Sequence, residues 1–480
     1  MHTFLWHDYE TFGAQPRRDR PSQFAAIRTD AELNEIGEPI MHYCRPAPDY
    51  LPEPQACLIT GITPQFCLER GLPEYRFAAE IEQAFSQPHT IGVGFNSIRF
   101  DDEFTRFLFW RNLIDPYARE WQNNCGRWDL LDVARAAYAL RPQGIEWPLN
   151  AEGRPSFRLE DLARANGLAH DSAHDALSDV RATLGLARLI REKQPRLFDF
   201  CFRLRQKDRV TEEIGLQLAP TMRQPFLHIS GMFSTERGCM ALMLPLAPHP
   251  TNKNEIIAWD LSSDPTELLD LDAEAIRARI FTKADALPEG VARLPLKNIH
   301  LNRSPVVIRD LRTLSPEMAV RWGLDVDAAQ KFARKAAASP EMESKMASVW
   351  REVYRQSSEA VPDEDEDLYG GFISNADRRQ LNRARSLAPQ ALAAARFSFE
   401  DGRLDELLFR YRARNFPDTL SIDEAQHWRE HCAARLGQGP RSVETLVQEI
   451  AELRACADAK GQAVLDALQD YAQHLQRDMH

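Results

Sequence analysis

Within the first ten residues an apolar run, Phe4-Leu5-Trp6, leads straight into His7-Asp8-Tyr9-Glu10. The run reads as a strand. Side chains two apart on a strand point to the same side, so Asp8 and Glu10 face one place. A strand with so apolar a lead-in belongs near the centre of a sheet, where two unpaired carboxylates are costly unless cations neutralise them. An isolated D-x-E pair is common by chance, and a solvent-facing strand accounts for most of them. The apolar lead-in shifts this pair toward a metal site.

The surrounding pattern sets the fold class. Residues 23–29 and 40–44 read as two more strands with a turn at 34–38. Helical patterns follow at 74–86, 101–113, 128–140, 157–166 and 174–192, with a short strand at 90–95 between the first two. Strands first, then helices around another strand, imply an α/β domain with a mixed sheet flanked by helices. Beyond Gln194-Pro195 the apolar stretches are short and broken by Pro and Gly, as in 225–231 and 255–260, which implies a mostly β second domain. The chain turns helical over 326–355. The acidic run Asp363-Glu364-Asp365-Glu366-Asp367 then reads as a solvated linker, and 374–476 as an all-α bundle. The expected domains are 1–193, 194–352 and 353–480, as suits a 480-residue chain too long for one core.

Composition excludes several classes. No apolar run reaches the length of a membrane span, and the N-terminus has no basic segment ahead of an apolar one, so the expected address is the cytoplasm. Eight cysteines without a C-x-x-C pair argue against a zinc site and a disulfide framework. A net charge of -12 argues against a protein that coats nucleic acid, and leaves room for a local basic groove.

Two further elements join the D-x-E pair. In Asn96-Ser97-Ile98-Arg99-Phe100-Asp101 a strand gives way to a helix, so Asp101 can reach back over the strand edge; taken alone, a helix cap is the simpler account. In His174-Asp175-Ala176-Leu177-Ser178-Asp179 a histidine and an acid flank the start of a helix, where an exposed His and a favourably placed first-turn acid would be unremarked. The three together are far more specific than any one. The order D-x-E, N-x-x-x-F-D, H-x-x-x-x-D within one α/β domain resembles the DEDD exonucleases of the His subtype, which have a ribonuclease H-like fold. That resemblance implies Asp8, Glu10, Asp101 and Asp179 as ligands of two Mg²⁺ ions, with Mn²⁺ able to substitute, and Asp8 shared between them. It implies His174 as the general base that takes a proton from the attacking water.

Longer strings narrow the resemblance. His7-Asp8-Tyr9-Glu10-Thr11-Phe12-Gly13, residues 19–30, Leu58-Ile59-Thr60-Gly61-Ile62-Thr63-Pro64 and Arg127-Trp128-Asp129-Leu130-Leu131-Asp132 are similar to bacterial exonuclease I, as are His228-Ile229-Ser230-Gly231-Met232-Phe233 and Tyr411-Arg412-Ala413-Arg414-Asn415-Phe416-Pro417 further on. The family implies an SH3-like second domain, a helical third domain, a monomer, and 3′ to 5′ digestion of single-stranded DNA to 5′-mononucleotides in repair and recombination. By the same resemblance Arg106, Tyr117, Trp121, Arg135 and Arg158 line the strand, Glu10 also meets it, and Arg141 receives the C-terminal tail of single-stranded DNA-binding protein. Phe200 stands where the family can carry an aromatic hydroxyl. A 3′ to 5′ exoribonuclease of the same superfamily and a catalytically silent DNA-binding platform are the competing readings; the former lack long second and third domains, and the latter does not need all five chemical residues.

Overall fold

The computed structural model describes residues 2–169, 175–339, 341–351, 362–439 and 441–478. Strand β1 (Thr3–Thr11) is the middle of a five-stranded sheet in the order β3-β2-β1-β4-β5, with β2 (Pro21–Thr29), β3 (Ile40–Tyr43), β4 (Thr90–Gly94) and β5 (Gly126–Asp129). β2 runs antiparallel to β1 and β3, and β4 runs parallel to β1, which makes the sheet mixed as the strand-then-helix order implies. The central position of β1 follows from its residues: Leu5 and Trp6 are fully buried, and the Tyr9 ring packs on Phe24.

The chain forms two compact units, one of Met1–Arg127, Ala169–Leu184 and Val361–His480, the other of Trp128–Leu168 and Gly185–Ala360. In the first, helices α1 (Pro54–Thr60), α2 (Pro64–Arg70), α3 (Glu74–Phe85) and α4 (Asp101–Arg111) accompany the sheet. The C-terminal helices share its cores. Phe12, Tyr50 and Cys57 pack with Leu446, Leu465 and Leu468, while Phe107, Trp110 and Leu113 pack with Leu368, Leu381 and Leu404.

The acidic run at 363–367 is not a solvated linker. Asp365 is buried, with its carboxylate 3.0 Å from Arg414 Nη1, 3.4 Å from Arg410 and 3.7 Å from Arg20. Burial alone would raise its proton affinity, yet the guanidiniums of Arg414, Arg20 and Arg410 hold it far below the usual carboxylate range. Trp110 Nε1 also donates to the Glu364 carbonyl at 2.7 Å. A charge count along the sequence sees five acids and misses their partners. Two of those, Arg410 and Arg414, lie one helical turn apart on the helix Arg403–Asn415.

In the second unit, α5 (Leu131–Leu140) and α6 (Leu159–Ala165) precede an antiparallel five-stranded sheet in the order β10-β6-β7-β8-β9. Its strands are β6 (Phe226–Ile229), β7 (Met240–Pro248), β8 (Glu255–Asp260), β9 (Leu296–His300) and β10 (Val306–Ile308). The helix expected from 128 begins only at Leu131, because Arg127, Trp128 and Asp129 belong to β5. Helix α7 (Ala176–Lys193) begins in the first unit and ends in the second, and α8 (Pro195–Arg203) follows it. Among the described residues no helix is long and apolar enough to cross a membrane, and the eight cysteines are free.

Candidate metal centre

The site begins where β1 outruns its neighbour. β4 pairs with β1 only as far as Trp6↔Val93, then turns away through Gly94. A Cβ there would meet Ser97 Cβ at 2.6 Å and the His7 carbonyl at 3.0 Å, so the turn needs glycine. The backbone of β1 beyond Trp6 is left open on that side, and the Tyr9 N–H donates instead to Asp101 Oδ1 at 3.1 Å. Asp101 opens α4, and the next residue secures it: the Asp102 carboxylate accepts from Arg119 Nη2 at 2.5 Å and Arg127 Nη1 at 2.9 Å, all three buried. Against its burial, Arg119 and Arg127 hold Asp102 well below the ordinary carboxylate range. Two adjacent aspartates thus take opposite duties, one facing the site and one anchoring the helix that presents it.

Asp179 comes from the first turn of α7. Carboxylate oxygens of Asp8, Glu10 and Asp179 lie within 4.8 Å of one another. Asp101 is not part of that close triad, although it is the strongest of the charged neighbours acting on Asp8. Burial, followed by Asp101, Asp179 and Glu10, raises the Asp8 carboxyl well above its usual range. Burial, then Asp179 and Asp175, pushes Glu10 up to about 8. Such values mark mutually repelling acids in a desolvated place, which a cation relieves.

The start of α7 is itself held. Asp175 Oδ1 accepts from Ser178 N at 3.1 Å and the Asp175 carbonyl from Asp179 N at 3.0 Å. Gln23 of β2 donates from Nε2 to Asp175 Oδ2 at 3.2 Å and accepts at Oε1 from Ala176 N at 3.3 Å. His174 lies outside the described residues.

The residues expected along a nucleic-acid strand are placed variously. Arg106 is buried, bonded to Glu103 at 2.6 Å and to Glu120 at 2.8 and 3.0 Å, and stacked over the Tyr117 ring at 5.2 Å. Trp121 is 61% exposed. In the second unit Arg135 is bonded to Asp132 at 2.6 Å, and a Cβ at Gly231 would strike its guanidinium at 2.7 Å. Arg158, at the N-cap of α6, is well exposed and pairs with Glu160. Arg141 closes α5, donates to the Leu140 carbonyl and to the Thr313 carbonyl at 3.3 Å, and lines a cavity of about 440 Å³ with Arg196, Leu197, Phe200 and Ile308.

Sequence reasoning missed Tyr369, whose hydroxyl donates to Glu103 and accepts from Arg106 Nη1 at 3.3 Å. It also missed Gln23 and Asp175. No sequence spacing announces a contact between residues 263 apart, as Arg106 and Tyr369 are. Asp175 had a local signal, an acid three residues before Ser178 at a helix start.

Residues 5–187 match the family described as Exonuclease, 205–352 the Exonuclease I SH3-like domain and 362–475 the Exonuclease I C-terminal domain. The chain is 45% identical over 478 residues to Exodeoxyribonuclease I of Escherichia coli (strain K12), covering 98% of each. It is similar to a zinc-bound form of the E. coli ExoI-ssDNA complex, at 44% identity and a TM-score of 0.91, covering 99% of this chain and 100% of that one. It is similar also to a structure described as the ExoI/SSB-Ct complex, at 44% identity and a TM-score of 0.91, with 99% of each chain covered. The superfamily uses divalent metal ions, in keeping with the all-carboxylate cluster of Asp8, Glu10 and Asp179. With three family domains in order along the chain and near-complete coverage of its relatives, this protein belongs to the exonuclease I family of exodeoxyribonucleases.

Proposed function

We propose that Asp8, Glu10, Asp101 and Asp179 hold two Mg²⁺ ions, with Mn²⁺ as a substitute, and that His174 is the general base of the family's reaction, 3′ to 5′ degradation of single-stranded DNA to 5′-mononucleotides. The observation that carries this reading is the cluster of Asp8, Glu10 and Asp179 oxygens within 4.8 Å, two of whose carboxyls are raised by burial and mutual repulsion. The donors fit the ion, because hard divalent cations take oxygen ligands and all these donors are carboxylates. When bound, such ions activate water and offset charge on the leaving oxygen. The chain's own part is to fix the donors. Asp102 and its two arginines hold α4, the Tyr9 N–H orients Asp101, and the Asp175 cap holds the turn that bears Asp179. His174 would accept the proton of the attacking water, a role an imidazole fills near neutral pH.

Tyr117, Trp121, Arg135 and Arg158 would meet the strand through phosphate pairing and base stacking, neither of which reads sequence, and Arg106 would join them on exchanging Glu103 or Glu120 for a phosphate. The cavity beside Arg141 has what a peptide terminus needs, guanidiniums for a carboxylate beside Leu197, Phe200 and Ile308. This supports a partnership with the C-terminal tail of single-stranded DNA-binding protein. The matched second and third domains weigh against a short exoribonuclease of the same superfamily.

A 5′-labelled oligonucleotide, offered with Mg²⁺ or EDTA, tests the assignment. Asp8→Ala should abolish shortening from the 3′ end and leave oligonucleotide binding largely intact. His174→Ala should lose ~10² to 10⁴-fold in rate with binding retained. Full activity of Asp8→Ala would overturn the metal assignment.

A further inference from the structure

Gln23 is a fully buried amide at the edge of the carboxylate cluster, with its hydrogen-bonding groups committed. On the sheet it lies in one cross-strand row, opposite Glu10 of β1 on one side and Tyr43 of β3 on the other. Its Nε2 donates to Asp175 Oδ2 at 3.2 Å and to Tyr43 Oη at 3.3 Å, and its Oε1 accepts from the Ala176 N–H at 3.3 Å. A backbone N–H can only donate, so the amide has one workable orientation, oxygen toward Ala176 and nitrogen toward the Asp175 carboxylate. Both groups it grips belong to the start of α7. Asp175 caps the helix, Ala176 begins it, and Asp179 follows one turn later among the clustered carboxylates.

We propose that Gln23 is a positioning residue for the exonuclease reaction, a clasp that fixes the start of α7 to the strand opposite Glu10 and so sets where Asp179 meets Asp8 and Glu10. This rests on the functional reading above for its consequence in catalysis, though not for the clasp itself. A buried chain of that length without hydrogen-bonding groups is methionine, and it would leave the buried Ala176 N–H unmet and take this donor from the half-buried Asp175 carboxylate. Groups that orient ligands in this way typically contribute 10 to 100-fold to metal affinity or activity.

Three variants test the clasp. Gln23→Met keeps length and removes every bond. It should lower kcat by ~10 to 100-fold and raise the Mn²⁺ concentration needed for half-maximal rate, while oligonucleotide affinity in EDTA stays at the wild-type value. Gln23→Glu keeps the acceptor for Ala176 and turns the donor facing Asp175 into a repelling oxygen, so it should lose as much or more. Gln23→Glu combined with Asp175→Asn exchanges donor and acceptor across the same gap and preserves total charge; it should recover much of the rate. Amide exchange at Ala176 in the cation-free protein reads the clasp without any turnover: fast in Q23M, which has no acceptor, fast also in Q23E, where repulsion from Asp175 drives the new carboxylate off the Ala176 N–H, and slowed again in Q23E/D175N. Losses that simply add in the double variant, with Ala176 exchange unrestored, would overturn the proposal even if Gln23→Met failed to fold. Wild-type protein lacking cation-dependent 3′ cleavage would instead sink the functional reading, and the exchange measurement would still decide the clasp.

Discussion

Glu10 shows how far one carboxyl can report on its surroundings. Its usual value of 4.5 is pushed up to about 8 by burial first and by Asp179 and Asp175 next. The folded, cation-free state therefore binds the proton more tightly than the unfolded chain. The contribution is favourable below the unfolded value, and it is lost as pH climbs from about 4.5 toward about 8. Cation-free protein should thus melt lower at pH 9 than at pH 5 (assay values chosen to bracket roughly that window). Glu10→Gln should remove a large part of the difference, on the order of a few kcal/mol or a few degrees, the rest belonging to Asp8, whose carboxyl is raised as well, and it should abolish activity. A divalent cation should stabilise wild type more at the alkaline end, where it meets carboxylates rather than carboxylic acids. Thermal melts of wild type and E10Q, each with EDTA or Mn²⁺, check this; an E10Q melting temperature no higher than wild type at pH 9 in EDTA would refute it.

At the scale of elements, the acidic segment behaves as a packed strap. Asp365 is 1% exposed and faces Arg20, Arg410 and Arg414, whereas the Asp363 side chain is 30% exposed and meets Arg410 and Arg435 at 2.8 and 3.1 Å. Asp365→Asn leaves buried guanidiniums short of their main countercharge, so unfolding measurements should show a loss of about 3–5 kcal/mol. Asp363→Asn should cost about 1 kcal/mol or less. Equal losses would show that the segment is held by its backbone and not by Asp365. The same strap marks where sequence reading stopped. Periodicity was enough for β1, β2, β3, β4, α3, α4 and α7, because each carries its own alternation or apolar stripe. It did not reveal α1 and α2, seven-residue helices each opened by a proline and too short for a stripe, nor β5, whose Arg127 and Trp128 merge into the pattern of α5. The carboxylates could be read because their spacing is local to strand and helix ends. Gln23 could not, since its meaning lies in the register that sets it opposite Glu10 and Tyr43. Tyr369 could not either, because its partners Glu103 and Arg106 are more than 260 residues away.

For the whole molecule, the question is how a chain of net charge -12 holds a polyanion. Many of its arginines are committed internally: the side chains of Arg111, Arg119, Arg127 and Arg414 are all at most 7% exposed and paired with Glu74, Asp102, Asp49 or Asp365. Overall charge therefore says little about strand binding, and the few cations that reach phosphates should govern it. Affinity for an oligonucleotide in EDTA should fall with salt along a log–log line whose slope is about -0.7 for each phosphate neutralised. Arg158 and Arg209 separate the local account from the global one. Both are more than half exposed and both pair with a nearby glutamate, Glu160 and Glu212, so replacing either with alanine changes net charge identically. If local contacts govern binding, Arg158→Ala should weaken affinity and make the slope shallower by about 0.7, while Arg209→Ala leaves both affinity and slope at the wild-type values. Equal weakening by the two substitutions would mean that the overall field sets affinity, and would remove Arg158 from the strand's path.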